Sequence, residues 1–176
     1  DEFMEGFETA VKGVKVGDPT LESTEMGPLV SKSHHESVSR YLDGANVLFR
    51  GSAPEGKGYW FAPTVVLANG LNDRCFTEEI FGPVVTVHAF EDEAEAVEIA
   101  NSTEFGLSGS IWTRDIGRGI RVARAVESGN LSVNSHSSVR YWTPFGGFKQ
   151  SGLGRELGPD APLHFTEEKN VFIPAD

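Results

Sequence analysis

Two short segments of the chain hold residue types that could do chemistry. The first, 78–84, reads Glu-Glu-Ile-Phe-Gly-Pro-Val, so two carboxylates and an aromatic ring stand directly before an apolar run. Glu78 or Glu79 could accept hydrogen bonds from the vicinal hydroxyls of a sugar, and Phe81 could offer a flat apolar wall to a ring. The structural alternative is a capping or salt-bridged acid beside a core phenylalanine. These residues alone leave both interpretations open.

The second segment, 144–156, reads Pro-Phe-Gly-Gly-Phe-Lys-Gln-Ser-Gly-Leu-Gly-Arg-Glu. Its four glycines allow the backbone to pass close to another chain segment or to a ligand. Arg155 and Glu156 could pair, which would be a purely structural role. Most of it belongs to a long loop at 135–154 that is rich in glycine and aromatic residues, and long structured loops in compact domains are usually functional.

Cys75 is the only cysteine of the chain. A catalytic thiol needs a nearby base, and the nearest histidine in the sequence, His88, lies within a strand pattern. A lone cysteine is more often a small buried hydrophobe, and we predict that role for Cys75. The five histidines show no metal-ligand spacing, and the acidic run 91–98 is typical of a solvated helix face, so we predict no metal site.

The spacing of apolar residues predicts the elements that position these segments. From residue 84 onward, strand and helix patterns alternate, with the strands at 84–90, 108–113 and 131–134. This order predicts an α/β fold, in which a parallel sheet with right-handed crossovers carries helices on both faces. The run 84–90 is β-branched and nearly continuous, which predicts a strand buried on both faces.

The remaining elements are shorter. Ser33 and Glu36 form a capping box, which predicts that the second helix of the chain begins at Ser33. A strand candidate at 59–67 is broken by Pro63, and a last strand is predicted at 169–173.

Composition and charge exclude several classes of function. The 176 residues are enough for one good core, and 26 acidic against 15 basic side chains give a formal net charge of −11. This acidic balance disfavours a nucleic acid or an anionic membrane as partner. A single cysteine excludes a disulfide-stapled scaffold, and no apolar run approaches the length of a membrane span. We therefore expect a cytoplasmic protein with neither nucleic-acid nor membrane partners.

The two segments also carry a family resemblance. Together, 78–84 and 144–156 strongly resemble the aldehyde dehydrogenase superfamily, the NAD(P)-dependent enzymes that oxidise aldehydes to carboxylic acids. Further matches follow in the family's order at 16–19, 26–30, 63–65, 100–107 and 128–130. The similarity is to the C-terminal part of the family's catalytic domain. It implies a catalytic-domain portion at 1–163 and a C-terminal oligomerisation strand within 164–176, which would serve a homodimer or homotetramer.

The resemblance implies a mechanism as well. In the family, a cysteine thiolate attacks a small-molecule aldehyde to give a thiohemiacetal, a hydride leaves to NAD or NADP, and water hydrolyses the resulting thioester. We expect NAD rather than NADP here. The nucleophilic cysteine and the general-base glutamate of the family lie upstream of the part matched by this chain, so the fragment alone is expected to be inactive. The alternative is a catalytically inactive truncated domain that acts only in binding or oligomerisation.

Four residues resemble family positions around the cofactor and the nucleophile. Glu79 resembles the residue that binds the nicotinamide ribose hydroxyls, and Phe81 resembles the aromatic residue beside the nicotinamide. His34 falls near a helix position that can face the adenosine. Glu156 resembles a catalytic acid that relays protons toward the nucleophile in some members.

The resemblance also implies a substrate pocket. Phe145 resembles an aromatic residue at this pocket, and the loop 135–143 resembles the loop that lines the substrate entrance. Ser137 and Val139 stand where many relatives carry an acid or a large aromatic residue, which implies a roomier entrance. The aromatic pair at 141–142 could face a cationic or hydrophobic aldehyde.

Overall fold

A computed structural model describes residues 2–136 and 139–175 of the chain. The helices of this part are α1 (Glu2–Gly13), α2 (Lys32–Tyr41), α3 (Arg74–Thr77), α4 (Glu93–Asn101) and α5 (Ile116–Ala125), followed by a 3₁₀ helix at Ala161–Phe165. The strands are β1 (Asn46–Arg50), β2 (Thr64–Leu67), β3 (Val84–Val87), β4 (Phe105–Gly106), β5 (Ser108–Ile111), β6 (Asn130–Val133) and β7 (Phe148–Lys149). The chain divides into two units, Asp1–Ala89 and Phe90–Asp176.

The first unit is built on a three-stranded mixed sheet. Its strand order is β1-β2-β3, with β1 antiparallel and β3 parallel to β2. The central strand β2 reads Thr-Val-Val-Leu, and its first three residues are buried, as expected for an apolar strand with a neighbour on each side. Its core cluster consists of Val38, Phe61, Val66, Cys75 and Ile80.

Helix α2 begins earlier than its sequence predicts. Ser31, in an extended conformation, is the N-cap, and its hydroxyl accepts the backbone N–H of His34 at 3.1 Å. The predicted start at Ser33 is therefore wrong. Ser33 lies inside the helix, where its hydroxyl contacts that of Ser31 at 3.0 Å. Both serines satisfy the residue preference of an N-cap, and only the backbone conformation decides which of them takes the role.

Strand β3 is shorter and more exposed than its sequence predicts. It ends at Val87, and Val85 keeps 48% of its surface exposed, so the prediction of a strand buried on both faces is wrong. The physical reason is its position, because β3 is an edge strand of its sheet. Its parallel partner is β2, which follows Pro63.

The second unit contains the predicted strand–helix–strand arrangement. Strands β5 and β6 pair in parallel on either side of α5 in the sequence, and β4 pairs antiparallel with β7 of the glycine-rich segment. In the described part of the chain the strands form one mixed, one antiparallel and one parallel sheet, so the prediction of one parallel sheet is wrong. The α/β class itself is confirmed. Glu93 of α4 forms ion pairs with Arg118 and Arg121 of α5, and these pairs link the two helices.

The strand predicted at 169–173 is not formed. Residues 166–175 lack regular structure, and Val171, Phe172 and Ile173 expose 69%, 82% and 81% of their surface. A strand needs a neighbouring strand to bond its N–H and C=O groups, and no described strand pairs with this segment. Within residues 2–136 and 139–175, no helix is long and apolar enough to cross a membrane.

The second unit depends on a close approach between β6 and the glycine-rich segment. The side-chain amide of Asn130 donates to the carbonyls of Leu107 at 3.0 Å and Gly146 at 2.9 Å. The N–H of Gly129 donates to the carbonyl of Gly106. A Cβ at Gly129 would overlap the carbonyl oxygen of Gly146, so only glycine fits at this position.

Replacing Gly129 by alanine tests this contact. We expect Gly129→Ala to lower the free energy of unfolding by at least about 2 kcal/mol, because the added methyl group forces two backbone segments apart. Gly6→Ala in α1 is the matched control, since nothing lies within 4 Å of its added Cβ. This control should raise the free energy of unfolding by about 0.5–1 kcal/mol through helix propensity. The free energy of unfolding of both variants is measured by urea denaturation. Equal effects of the two substitutions would contradict the close backbone contact at Gly129.

Candidate functional site

The segment 78–84 connects α3 to β3 and turns alternate residues in opposite directions. Ile80 is buried in the core cluster, whereas Phe81 exposes 77% of its surface. Gly82 lies against Val38 of α2, where an added Cβ would come within 2.7 Å of both γ-carbons of the valine. Phe81 is therefore not a core residue, and the structural alternative weighed for its ring is wrong.

The two adjacent carboxylates of this segment have different surroundings. Glu78 accepts a hydrogen bond from the Tyr41 hydroxyl at 2.9 Å and lies 3.8 Å from the guanidinium of Arg74. The hydrogen bond to Glu78 and partial burial raise the pKa of Tyr41, whose ring lies under Arg74. Glu79 is exposed and makes no hydrogen bond or ion pair with any described residue. The salt-bridge interpretation thus holds for Glu78, and Glu79 keeps all its acceptor capacity.

The backbone of Phe81 is strained. Its φ is +54°, in the left-handed region that a bulky side chain rarely adopts. Its carbonyl oxygen lies 2.7 Å from Nε2 of His34. Because a carbonyl only accepts, Nε2 must carry the hydrogen and donate it. This bond joins α2 to the turn across 47 residues of sequence.

The segment 144–156 brings two of the predicted site residues together. Phe145 and Glu156 pair through two backbone N–H···O bonds of 2.7 Å. The carboxylate of Glu156 is exposed and makes no hydrogen bond with the described residues. The predicted pairing of Arg155 with Glu156 does not occur, because the Arg155 guanidinium donates to the carbonyls of Gly147 and Gly154.

The candidate substrate loop is described in part. Ser137 lies outside the described residues, and Val139 is 49% exposed. Tyr141 and Trp142 form an edge-to-face pair with ring centroids 4.4 Å apart. Phe145 and Val139 belong to the second unit, whereas Glu79 and Phe81 belong to the first.

Positive backbone φ angles occur within both segments and also outside them. In the described part of the chain, the non-glycine residues with positive φ are Phe81, Asn134, Lys149 and Leu157. Such strain is often found at functional sites, where surrounding contacts compensate for it. For Asn134 the contact is visible, since its side-chain amide accepts the N–H of Thr113 and donates to the carbonyl of Thr113. Sequence reasoning did not find this residue, although asparagine tolerates a left-handed conformation better than most residues do.

Cys75 is buried, as its residue type predicted. Its thiol exposes little surface and donates to the carbonyl of Tyr41 at 3.3 Å. Burial, together with the nearby charge of Asp73, raises the pKa of the Cys75 thiol. Both effects oppose a nucleophilic role. Among the described residues, no group of three or more His, Cys, Asp or Glu side chains could hold a metal ion.

Comparison with known protein families matches residues 1–171 to the aldehyde dehydrogenase family. This chain belongs to that family. It is 40% identical to an aldehyde dehydrogenase from Emericella nidulans, covering 97% of the chain and 35% of that protein. It is 37% identical to a betaine aldehyde dehydrogenase from Brucella anthropi, covering 98% of the chain and 37% of that protein. The chain thus spans 35% to 37% of the length of these relatives.

A solved structure shows the same similarity in three dimensions. The betaine aldehyde dehydrogenase from Staphylococcus aureus, determined in complex with NAD+, superposes with a TM-score of 0.87 at 37% identity. The match covers 94% of this chain and 34% of that protein. The α/β fold described above is thus similar to that of the corresponding part of an aldehyde dehydrogenase chain.

Thiol labelling tests the environment of Cys75. At pH 8 we expect iodoacetamide to modify Cys75 at least about tenfold more slowly in the folded protein than in urea, because burial and the raised pKa suppress the thiolate. The labelled fraction is measured by mass spectrometry at several times, with the urea-unfolded chain at the same pH as control. Equal rates in the two states would contradict the assignment of a buried thiol.

Proposed function

We propose that this chain is part of an enzyme that oxidises an aldehyde to a carboxylic acid with NAD+. The observation that carries the proposal is that two neighbouring side chains are exposed together. The carboxylate of Glu79 has no partner among the described residues, and the ring of Phe81 faces outward. Family membership and the names of the relatives support it, since these are aldehyde and betaine aldehyde dehydrogenases. None of these relatives supports the alternative of a domain that only binds or oligomerises.

The residues of the segment 78–84 fit a dinucleotide. The two oxygens of Glu79 would accept hydrogen bonds from the vicinal hydroxyls of the nicotinamide ribose, and Phe81 would cover one face of a planar ring. The cofactor, when bound, supplies the acceptor for a hydride. We propose NAD+ rather than NADP+, and the NAD+ complex of the Staphylococcus aureus relative supports this choice.

The second unit would shape the substrate site and move a proton. We propose that Glu156 relays protons, because its carboxylate is exposed and not engaged with the described residues. Phe145, held by the backbone pair with Glu156, would line the aldehyde pocket together with Ser137 and Val139. We further propose that the nucleophilic thiol comes from another part of the protein than these residues, since Cys75 is buried and already hydrogen-bonded.

Glu79 and its neighbour Glu78 provide a matched pair of variants. In the protein encoded by the complete gene, we expect Glu79→Gln to raise the Kd for NAD+ about tenfold, because a charged acceptor of two hydroxyls is lost. Glu78→Gln should change that Kd by less than about twofold, since its carboxylate serves Tyr41 and Arg74. Isothermal titration measures both values. If the two variants bind NAD+ equally well, Glu79 is not the ribose ligand.

We also propose that the segment 164–176 joins a second subunit as a strand. The exposed apolar side chains of Val171, Phe172 and Ile173, together with the unpaired backbone around them, support this role. The division of the chain at residue 163 rests on the same proposal.

A charge on this segment tests the association. We expect Val171→Asp to shift the protein encoded by the complete gene toward smaller assemblies, because a buried carboxylate at an apolar interface is unfavourable. Leu21→Asp is the control, since Leu21 is an exposed apolar residue of the first unit, 56% accessible. Multi-angle light scattering gives the mass of each variant. An unchanged mass for Val171→Asp would contradict the role of this segment.

A further inference from the structure

The turn that presents Phe81 is attached to one face of helix α2. His34 and Val38 are four residues apart on this helix and therefore lie on the same face, one turn from each other. His34 bonds the carbonyl of Phe81 at 2.7 Å, and Val38 packs against Gly82. Ile80, on the other side of Phe81, is buried in the cluster that contains Val38.

The hydrogen bond from His34 is well placed to hold the left-handed conformation of Phe81. Apolar contacts hold Ile80 and Gly82 on either side of Phe81, but neither contact is a hydrogen bond to the Phe81 carbonyl. Nε2 of His34 reaches the carbonyl of Phe81 itself and restrains the orientation of that peptide. Nδ1 of His34 is buried and has no partner in the described part of the chain, so the bond to Phe81 is the ring's only hydrogen bond among the described residues.

The start of α2 in turn positions His34. The hydroxyl of Ser31 accepts the backbone N–H of His34 at 3.1 Å, which fixes this residue in the first turn. His34 is thus held from its backbone by the cap and acts through its ring on the turn at Phe81.

We propose that His34 is a positioning residue that holds the Phe81 turn in its left-handed conformation and thereby keeps Phe81 and Glu79 presented for the cofactor. This inference rests on the proposed function, because it gives His34 a role in NAD+ binding that acts through Phe81. The histidine serves as a hydrogen-bond donor at a fixed distance from the helix, so a side chain that places an N–H at the same point should replace it.

The neighbouring His35 is a matched control. Its Nε2 lies 3.1 Å from the carbonyl of Trp60, and its ring packs edge-on against Phe61. Like His34, it is a histidine of α2 whose Nε2 lies near a backbone carbonyl. It does not contact the turn at Phe81, and its contacts belong to the core.

The test compares five variants of the protein encoded by the complete gene. We expect His34→Leu and His34→Asn to raise the Kd for NAD+ about tenfold, the first because it has no donor and the second because its amide is too short to reach Phe81. His34→Gln, whose amide nitrogen reaches about as far as Nε2, should stay within about twofold of the wild-type Kd. His35→Leu should lower Tm without changing that Kd.

In crystals grown without cofactor, φ of Phe81 should leave the left-handed region in His34→Leu and His34→Asn. In His34→Gln it should stay in that region.

Three results would overturn the proposal: a wild-type Kd in both His34→Leu and His34→Asn, a Kd for His34→Gln as weak as theirs, or a φ near +54° at Phe81 in a variant whose residue 34 does not bond its carbonyl. The fifth variant, Glu79→Gln, separates this proposal from the proposed function. If Glu79→Gln weakens NAD+ binding and the His34 variants do not, only the positioning role fails. If Glu79→Gln binds NAD+ normally, the proposed function fails, and the φ of Phe81 still decides the role of His34.

Discussion

Val38 has no exposed surface, and the presentation of Glu79 and Phe81 depends on how the chain packs around it. Ile80 joins the same apolar cluster, and Gly82 approaches the valine so closely that a Cβ would collide with its methyl groups. With Ile80 and Gly82 held against this cluster, Phe81 between them and Glu79 before them are exposed. Hydrophobic burial at two positions thus fixes the exposure of the two groups that could bind a ligand.

The second unit positions its site residues by other means. Here the close contacts are between backbone segments, and glycines allow them at 129 and 146. The side chain of Asn130 is buried, and its amide donates to two carbonyls that would otherwise lose hydrogen bonds with water. This arrangement also sets the position of Phe145, because Phe145 directly precedes Gly146 and its backbone pairs with that of Glu156. The proposed pocket residue, Phe145, and the proposed proton relay, Glu156, are therefore held by polar backbone contacts rather than by an apolar core.

Much of the secondary structure could be predicted from local patterns. Helices α4 and α5 and strands β5 and β6 occur where apolar spacing predicts them, since each signal lies within one short window. Three features could not be predicted because they depend on partners or on backbone angles. The partner of β3 is β2, which follows Pro63, and the cap of α2 is chosen by the conformation of Ser31. The segment 169–173 has no strand to pair with in the described part of the chain.

The site shows the same limit at the level of single atoms. Glu78 and Glu79 are identical in residue type and adjacent in sequence, so no local pattern could assign them different roles. The hydroxyl of Tyr41, 37 residues away, donates a hydrogen bond to Glu78 and so distinguishes this carboxylate from that of Glu79. A ligand that bound Glu78 would have to break this hydrogen bond and displace Arg74, whereas a ligand at Glu79 only has to replace water. Because Glu78 is already hydrogen-bonded within the fold, Glu79 is the more available acceptor for an incoming hydroxyl. The long-range contact of Tyr41 therefore matters for the proposed cofactor site.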